Sequence, residues 1–198
     1  MKEFYVVSAA EIDGVPLFFD EVWRPQLPEF NQVVENPELR IFCDSYELEI
    51  GLDAFDVDVI FEQYIASSKF VDFCKKYRCR FISIPLKVTL RGGMKPDGEY
   101  NLFLVLSRYS LLDIESSMYT LMDEGLLRQV DERENIIPVY DRIDKFVPRA
   151  DVSDDLFYCE ELKQIVCSSV FRAHCLEQNL AGLEFEKIDE NFIYAPWG

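Results

Sequence analysis

The stretch ASSKFVDFCKKY, residues 66–77, has an echo in CSSVFRAHCLEQ, residues 167–178. Ser67, Ser68, Phe70 and Cys74 fall at the spacing of Ser168, Ser169, Phe171 and Cys175. In the first copy Phe70, Phe73, Cys74 and Tyr77 stand at i, i+3, i+4 and i+7, which is one face of an α-helix. A serine just ahead offers its hydroxyl to the N–H groups that a helix start leaves without partners. The surroundings repeat as well: an acidic and apolar lead-in, an apolar pair, Ser-Ser, an amphipathic helix, a short turn, an alternating strand. A constant offset of 101 residues also sets Ile65 against Val166, Ile82 against Leu183 and Ile84 against Phe185. Two related strand–helix–strand units are therefore expected. Their serines are helix caps, and Cys74 and Cys175 are core residues beside phenylalanines. A duplicated serine argues against a nucleophile, since one active site has no use for a second copy so far along the chain.

Around these units the pattern is mostly β. FYVVSA at the start reads as a strand, and Asp13-Gly14 as a turn from which VPLFF returns as a second. Residues 24–40 carry three of the nine prolines and read as an irregular surface connection. RIFCDSYELEIG alternates as a half-buried strand or two, and FISIPLKVTL as another. RGGMKPDGEY is a loop, and NLFLVLSRYSLL pairs back as a central strand covered on both faces. DIESSMYTLMDEGLLRQV fits either a helix or two strands turning at Asp123-Glu124-Gly125, and strands are preferred. RENIIPVYDRI is an edge strand broken by Pro138, residues 144–155 are a polar connection, and LEFEKI is the last strand. The aromatic tail DENFIYAPWG is expected to pack on the body. The fold class is thus α+β, mostly β, with a mixed or antiparallel sheet and few helices. Residues 1–198 read as one compact domain, with lobes 1–110 and 111–198 as its two-lobe form.

Composition limits the function. Hydrophobic residues make up 49% of the chain, with sixteen Phe, so a sizeable core is available. Asp and Glu number 37 against 20 Lys and Arg, a net charge of −17. That field repels phosphate backbones, so no nucleic-acid partner is expected; it attracts basic partners and speeds their association. An ordinary solvated surface explains the same charge. No basic leader precedes an apolar run, and no apolar stretch has the length of a membrane span, so a cytoplasmic protein with six reduced thiols is expected.

Catalytic and metal motifs are weak. The single histidine, His174, neighbours Cys175 on one helix, where adjacent side chains diverge by about 100° and form no dyad. Cys74-x4-Cys79 and Cys159-x7-Cys167 do not have zinc-ligand spacing. DAFDVDVIFEQ lacks the central glycine of a calcium loop, and Gly92-Gly93 has no phosphate-loop context. No cofactor is expected, and no catalytic or metal residue is assigned. Carboxylate pairs are too abundant to single any out.

Several blocks resemble a family of bacterial immunity proteins from polymorphic-toxin systems: FYVVSAAEIDG, VIFEQYIASSKFVDFCKKYRCRFISIPL, YNLFLVLSRYSLLDIESS and LKQIVCSSVFRAHCLEQNLAGLEFEKI. The resemblance implies a non-catalytic protein that binds and neutralises a cognate toxin domain. A toxin acting on nucleic acid carries a basic surface that an acidic inhibitor fits. The acidic runs leading into the two units, Asp53/Asp56/Asp58/Glu62 and Asp151/Asp154/Asp155/Glu160/Glu161, are the candidate partner-binding residues. A carboxylate-dependent hydrolase or transferase, and an oligomeric scaffold, are the alternatives.

Overall fold

The computed structural model describes residues 2–10, 12, 14–16, 19–122 and 138–197. In chain order the strands are β1 (Phe4–Ala9), β2 (Glu21–Arg24), β3 (Tyr46–Ile50), β4 (Val59–Ile60), β5 (Ile65–Ser67), β6 (Phe81–Thr89), β7 (Tyr100–Val105), β8 (Arg108–Tyr109), β9 (Met118–Leu121), β10 (Tyr140–Lys145), β11 (Leu156–Cys159), β12 (Gln164–Ser168) and β13 (Leu183–Lys187). The helices are α1 (Ser68–Cys74) and α2 (Ser169–Glu177). The fold is α+β and strand-rich. A six-stranded sheet runs β2-β3-β6-β7-β5-β4, a five-stranded sheet runs β13-β1-β12-β11-β8, and β9 pairs with β10. The two larger sheets are mixed: β3–β6 and β8–β11 are parallel and the other pairs antiparallel.

The echo in the sequence is a repeated backbone unit. In each copy a hairpin leads into a helix and then a strand: β4-β5-α1-β6 and β11-β12-α2-β13. Each helix starts on its serine. Ser67 Oγ accepts from the Phe70 amide at 3.0 Å, and Ser168 Oγ from the Phe171 amide at 3.2 Å. The next serines match too, with the Ser68 amide donating to the Glu99 carbonyl and the Ser169 amide to the Glu3 carbonyl. Both hairpins close on a residue in left-handed conformation, Tyr64 (φ 58°) and Lys163 (φ 55°). The fourth strand is where the copies differ in connectivity. In the first unit it is β7, which follows β6; in the second it is β1, from the far end of the chain. Tyr100 faces Ser67 as Phe4 faces Ser168. The second unit is a circularly permuted version of the first.

The register corrects one expectation. Phe81 lies opposite Val105 and Leu183 opposite Ala9, which places Phe81, not Ile82, at the position of Leu183. Ser83, not Ile84, likewise corresponds to Phe185, so the offset beyond the helices is 102. One extra residue after α2 moves side chains to the opposite face. Phe81, Leu183 and Phe185 border the central core, whereas Ile82 and Ile84 belong to the far face of the first sheet.

That central core forms where the units meet. Phe70, Phe73 and Cys74 from α1 and Phe171 and Cys175 from α2 pack with Tyr5, Val7, Phe103, Val105, Ile165 and Cys167 of the sheets. Phe73 and Phe171 meet edge-to-face at 5.1 Å, and Tyr77 touches Phe171 at the same distance. Edge-to-face contact suits the ring quadrupoles. A second core lies under the outer face of the six-stranded sheet, and a third between the five-stranded sheet, β10 and the tail. Because β1 belongs to the second sheet, a cut at residue 110 does not separate the units.

Other expectations differ in detail. Of the strand expected over VPLFF only an isolated bridge, Ile12 to Val15, is formed; Leu17 and Phe18 lie outside the described residues. RIFCDSYELEIG becomes a strand only from Tyr46, where burial alternates. Tyr77 sits past the end of α1, in the following turn. The turn at Asp123-Glu124-Gly125 falls outside the described residues, although β9 and β10 pair as strands. The tail buries Phe192 and pairs Tyr194 with Ile143, but Trp197 is 67% exposed. Among the described residues no helix is long and apolar enough to cross a membrane.

Ser67→Ala and Ser168→Ala should each cost about 1–3 kcal/mol, because the hydroxyl both caps a helix and donates to a carboxylate. Ser67→Ala should cost more, since its carboxylate partner is the more deeply buried one. Urea unfolding of the two variants checks this; losses below about 0.5 kcal/mol in both would remove the serines from the list of fold determinants.

Candidate functional site

Asp58 and Asp155, one from each candidate run, occupy equivalent places and tie the units together. Ser67 Oγ donates to Asp58 Oδ1 at 2.7 Å, and Ser168 Oγ to Asp155 Oδ1 at 2.9 Å. The second oxygen of each reaches into the opposite unit. Asp58 Oδ2 accepts from the Ala181 amide after α2, and Asp155 Oδ2 from the Arg78 amide after α1. The backbone returns both contacts, with the Asp58 amide donating to the Ala181 carbonyl and the Asp155 amide to the Arg78 carbonyl. A buried carboxylate is costly unless hydrogen-bonded, and here the bonds are supplied reciprocally. Lys69 and Lys2 add one ammonium to each, at 3.1 and 3.4 Å. Gly182 shows how close the approach is: its φ is +97°, and a Cβ there would lie 2.6 Å from the Val59 carbonyl oxygen. The glycine of the LAGLEF block is thus required by packing as well as by backbone conformation.

The other acidic candidates divide sharply. Glu161 is 3% exposed and accepts from Ser110 Oγ, from the Leu111 amide at 2.9 Å and from Cys159 Sγ at 3.2 Å. Asp154 accepts from Ser107 Oγ and from the Tyr109 hydroxyl, whose pKa this acceptor raises. Glu160 faces Arg108 at 3.6 Å, Asp53 pairs with Arg91 and Asp151 with Arg149. Glu161 is buried and committed to these internal bonds, and Asp58 is mostly buried, its carboxylate engaged by Ser67, Lys69 and the Ala181 amide. Asp56 and Glu62 are exposed, and no cation pairs with them among the described residues.

Asp56 is joined by two acids outside the candidate runs. Asp97 and Glu99, from the loop ahead of β7, are exposed, and Glu99 lines the same groove as Asp56. Asp56, Asp58, Ser68, Lys69, Glu99 and Tyr100 line a groove there. The Tyr100 pKa is pushed up to about 12, first by burial and then by the charges of Asp56, Asp58 and Asp97. Folding thus brings Asp56, Asp58 and Glu99 to one groove. In sequence Asp97 and Glu99 stand forty residues from Asp56 and carry no signal, because only the β7–β5 pairing brings the loops together.

The candidate nucleophiles sit in settings that disfavour their reactive forms. Burial raises the Cys74, Cys159 and Cys167 thiols well above their ordinary range, and pushes Cys79 and Cys175 up to about 12. The thiolate is the nucleophile, so these side chains are inert at neutral pH. His174, half-exposed, makes a 2.7 Å bond between Nδ1 and the Tyr77 hydroxyl across the unit boundary. No group of three or more His, Cys, Asp or Glu among the described residues is placed to hold a metal ion.

A cleft of about 340 Å³ opens along the seam of the two units. The ends of β1 and β7, both hairpin turns and the connection at residues 30–33 enclose it. Sequence reading had no access to it, since its walls come from five separate segments. Tyr64 and Lys163 both line it, at the matching turn positions. Scanned against protein-family models the chain matches none, and no curated protein matches it.

Labelling of the native protein with an aromatic disulfide reagent should show one fast thiol, Cys43, the one fully exposed cysteine. The four buried thiols, Cys74, Cys159, Cys167 and Cys175, should react only on unfolding, the half-buried Cys79 should react slowly, and Cys43→Ser should abolish the fast phase. A fast phase that persists in Cys43→Ser would contradict the burial described here.

Proposed function

We propose that this protein is a non-catalytic immunity protein that binds a cognate, basic bacterial toxin domain and blocks it. The observation that carries the reading is the acidic groove of the first unit. Asp56, Asp58 and Glu99 line it, Lys69 is paired with Asp58, and no cation pairs with Asp56 or Glu99 among the described residues, in a chain of net charge −17. Exposed carboxylates held close together lower one another's solvation and raise the local potential, which steers a cationic surface toward them. Asp56 and Glu99 supply the acceptors for an incoming Lys or Arg, and Lys69, held by Asp58, restricts where that cation can sit. The resemblance of the Ser–helix–strand blocks to immunity proteins supports the same reading. Rigidity suits it too: the central core and the reciprocal carboxylate clamps give a surface that is organised before it meets its partner, which reduces the entropy lost on binding.

The test is binding to the C-terminal domain encoded beside this protein's gene. One-to-one association that slows as salt rises is expected. Asp56→Lys/Glu99→Lys should lower the association rate by about tenfold or more, with stability changed by less than about 0.5 kcal/mol. Co-expression should rescue cells from that domain, and the double variant should rescue poorly. Failure of the wild-type protein to bind or protect, or an undiminished rate in the double variant, would refute this assignment.

A further inference from the structure

The seam cleft contains two polar groups that the fold leaves without partners. Tyr158 is 5% exposed, and its hydroxyl meets no hydrogen-bonding atom; Lys163 Nζ is buried and likewise unpaired among the described residues. Both line the cleft. Each is expensive to leave in this state, since burial strips water from an ammonium or a hydroxyl and nothing replaces it. Lys163 is held there by its backbone. It is the left-handed residue that closes the β11–β12 hairpin, on the strand next to Tyr158. Burial and then the nearby Arg108 lower its pKa, while the charges of Glu160 and Glu161 act the other way.

Arg108 does not compete for a ligand. Its guanidinium stacks on the Tyr158 ring at 4.6 Å and donates to the carbonyls of Gln32 and Val33, with Glu160 beside it. The rest of the cleft is mixed: Val7, Phe30, Phe61, Phe103 and Ile165 form apolar wall, and Ser8, Asn31, Gln32, Glu62 and Gln164 add polar groups. One ammonium and one phenolic hydroxyl suit the two oxygens of a carboxylate. A phosphate would favour a bidentate guanidinium fork, and the only guanidinium here is already engaged.

We infer that the seam cleft is a binding site for a small organic carboxylate with an apolar, aryl-sized body, its head held by Lys163 and Tyr158. The site is distinct from the acidic groove and does not rest on the immunity reading. An apolar body is needed for affinity, because the protein's net charge opposes any anion at long range.

The experiment is a titration of the full chain, followed by amide chemical shifts and calorimetry. Three probes are used: 3-phenylpropionate, its neutral analogue 3-phenylpropanamide, and inorganic phosphate. Saturable binding of the carboxylate is expected, with shifts at Val7, Phe103 and Ile165, about tenfold weaker binding of the amide and none of phosphate. Tyr158→Phe removes a hydroxyl that supports nothing in the fold, so it should unfold as wild type does. Tyr158→Phe and Lys163→Met should each weaken the carboxylate by about fivefold or more. The inference is overturned by absence of saturable carboxylate binding, by equal affinity for acid and amide, by phosphate binding as well as the acid, or by folded variants that bind as wild type.

Discussion

Each of the two central carboxylates makes bonds to a serine of its own unit and to a backbone amide of the other. Asp58 and Asp155 thereby decide how the two units sit together. An unpartnered carboxylate in that position would cost several kcal/mol. Here each oxygen is satisfied only when both the helix start and the opposite loop are in place. The serine is the shared element. Its oxygen accepts from the helix amide while its proton goes to the carboxylate, so helix capping and unit docking are one hydrogen-bonded chain. Reciprocal contacts of this kind are what a two-fold symmetric interface produces, because residue i meets j and j meets i. In this protein the arrangement lies within one chain.

The permutation of the second unit follows through to the energetics. β1 lies between β12 and β13, more than 150 residues away in sequence. The second sheet is therefore incomplete until the last strands exist, and the first unit cannot lose β1 without exposing the central core that both share. Contacts of such separation carry a large loop-closure cost and favour all-or-none behaviour. The Phe73–Phe171 and Tyr77–Phe171 contacts lie on the same boundary.

Much of this was legible in the residues. The caps, the helical faces and the central strand follow from local chemistry: a serine before an apolar i, i+3, i+4 face, or an unbroken apolar run between turns. What escaped was always non-local. A single residue added after α2 moved the repeat from offset 101 to 102 and changed which face Leu183 and Phe185 present. The destination of β1 is invisible in FYVVSA itself, since an apolar strand suits any sheet interior. The acids show the limit most clearly. Asp58 and Asp56 are two residues apart and look alike in sequence, yet one is a buried structural anchor and the other an exposed charge. In a regular strand the two would share a face; the irregular backbone ahead of β4 separates them, and only the partner at Ala181 reveals which one is interior.

Duplication also separates what is structural from what is specific. The serine, the carboxylate, the phenylalanine and the cysteine are kept in both units, and all four serve the fold. The equivalent turn residues have diverged. Tyr64 rests its ring on Phe30 at 5.2 Å, whereas Lys163, lining the same cleft, buries an Nζ without a hydrogen-bond partner among the described residues. A position whose backbone conformation is retained while its chemistry changes is released from a packing role. In the left-handed conformation neither Tyr nor Lys is favoured over Asn or Gly, so conformational preference does not account for either residue. What the two side chains share is the cleft they face, and that contrast between a matched scaffold and unmatched lining is where the two halves of this protein stop being copies of each other.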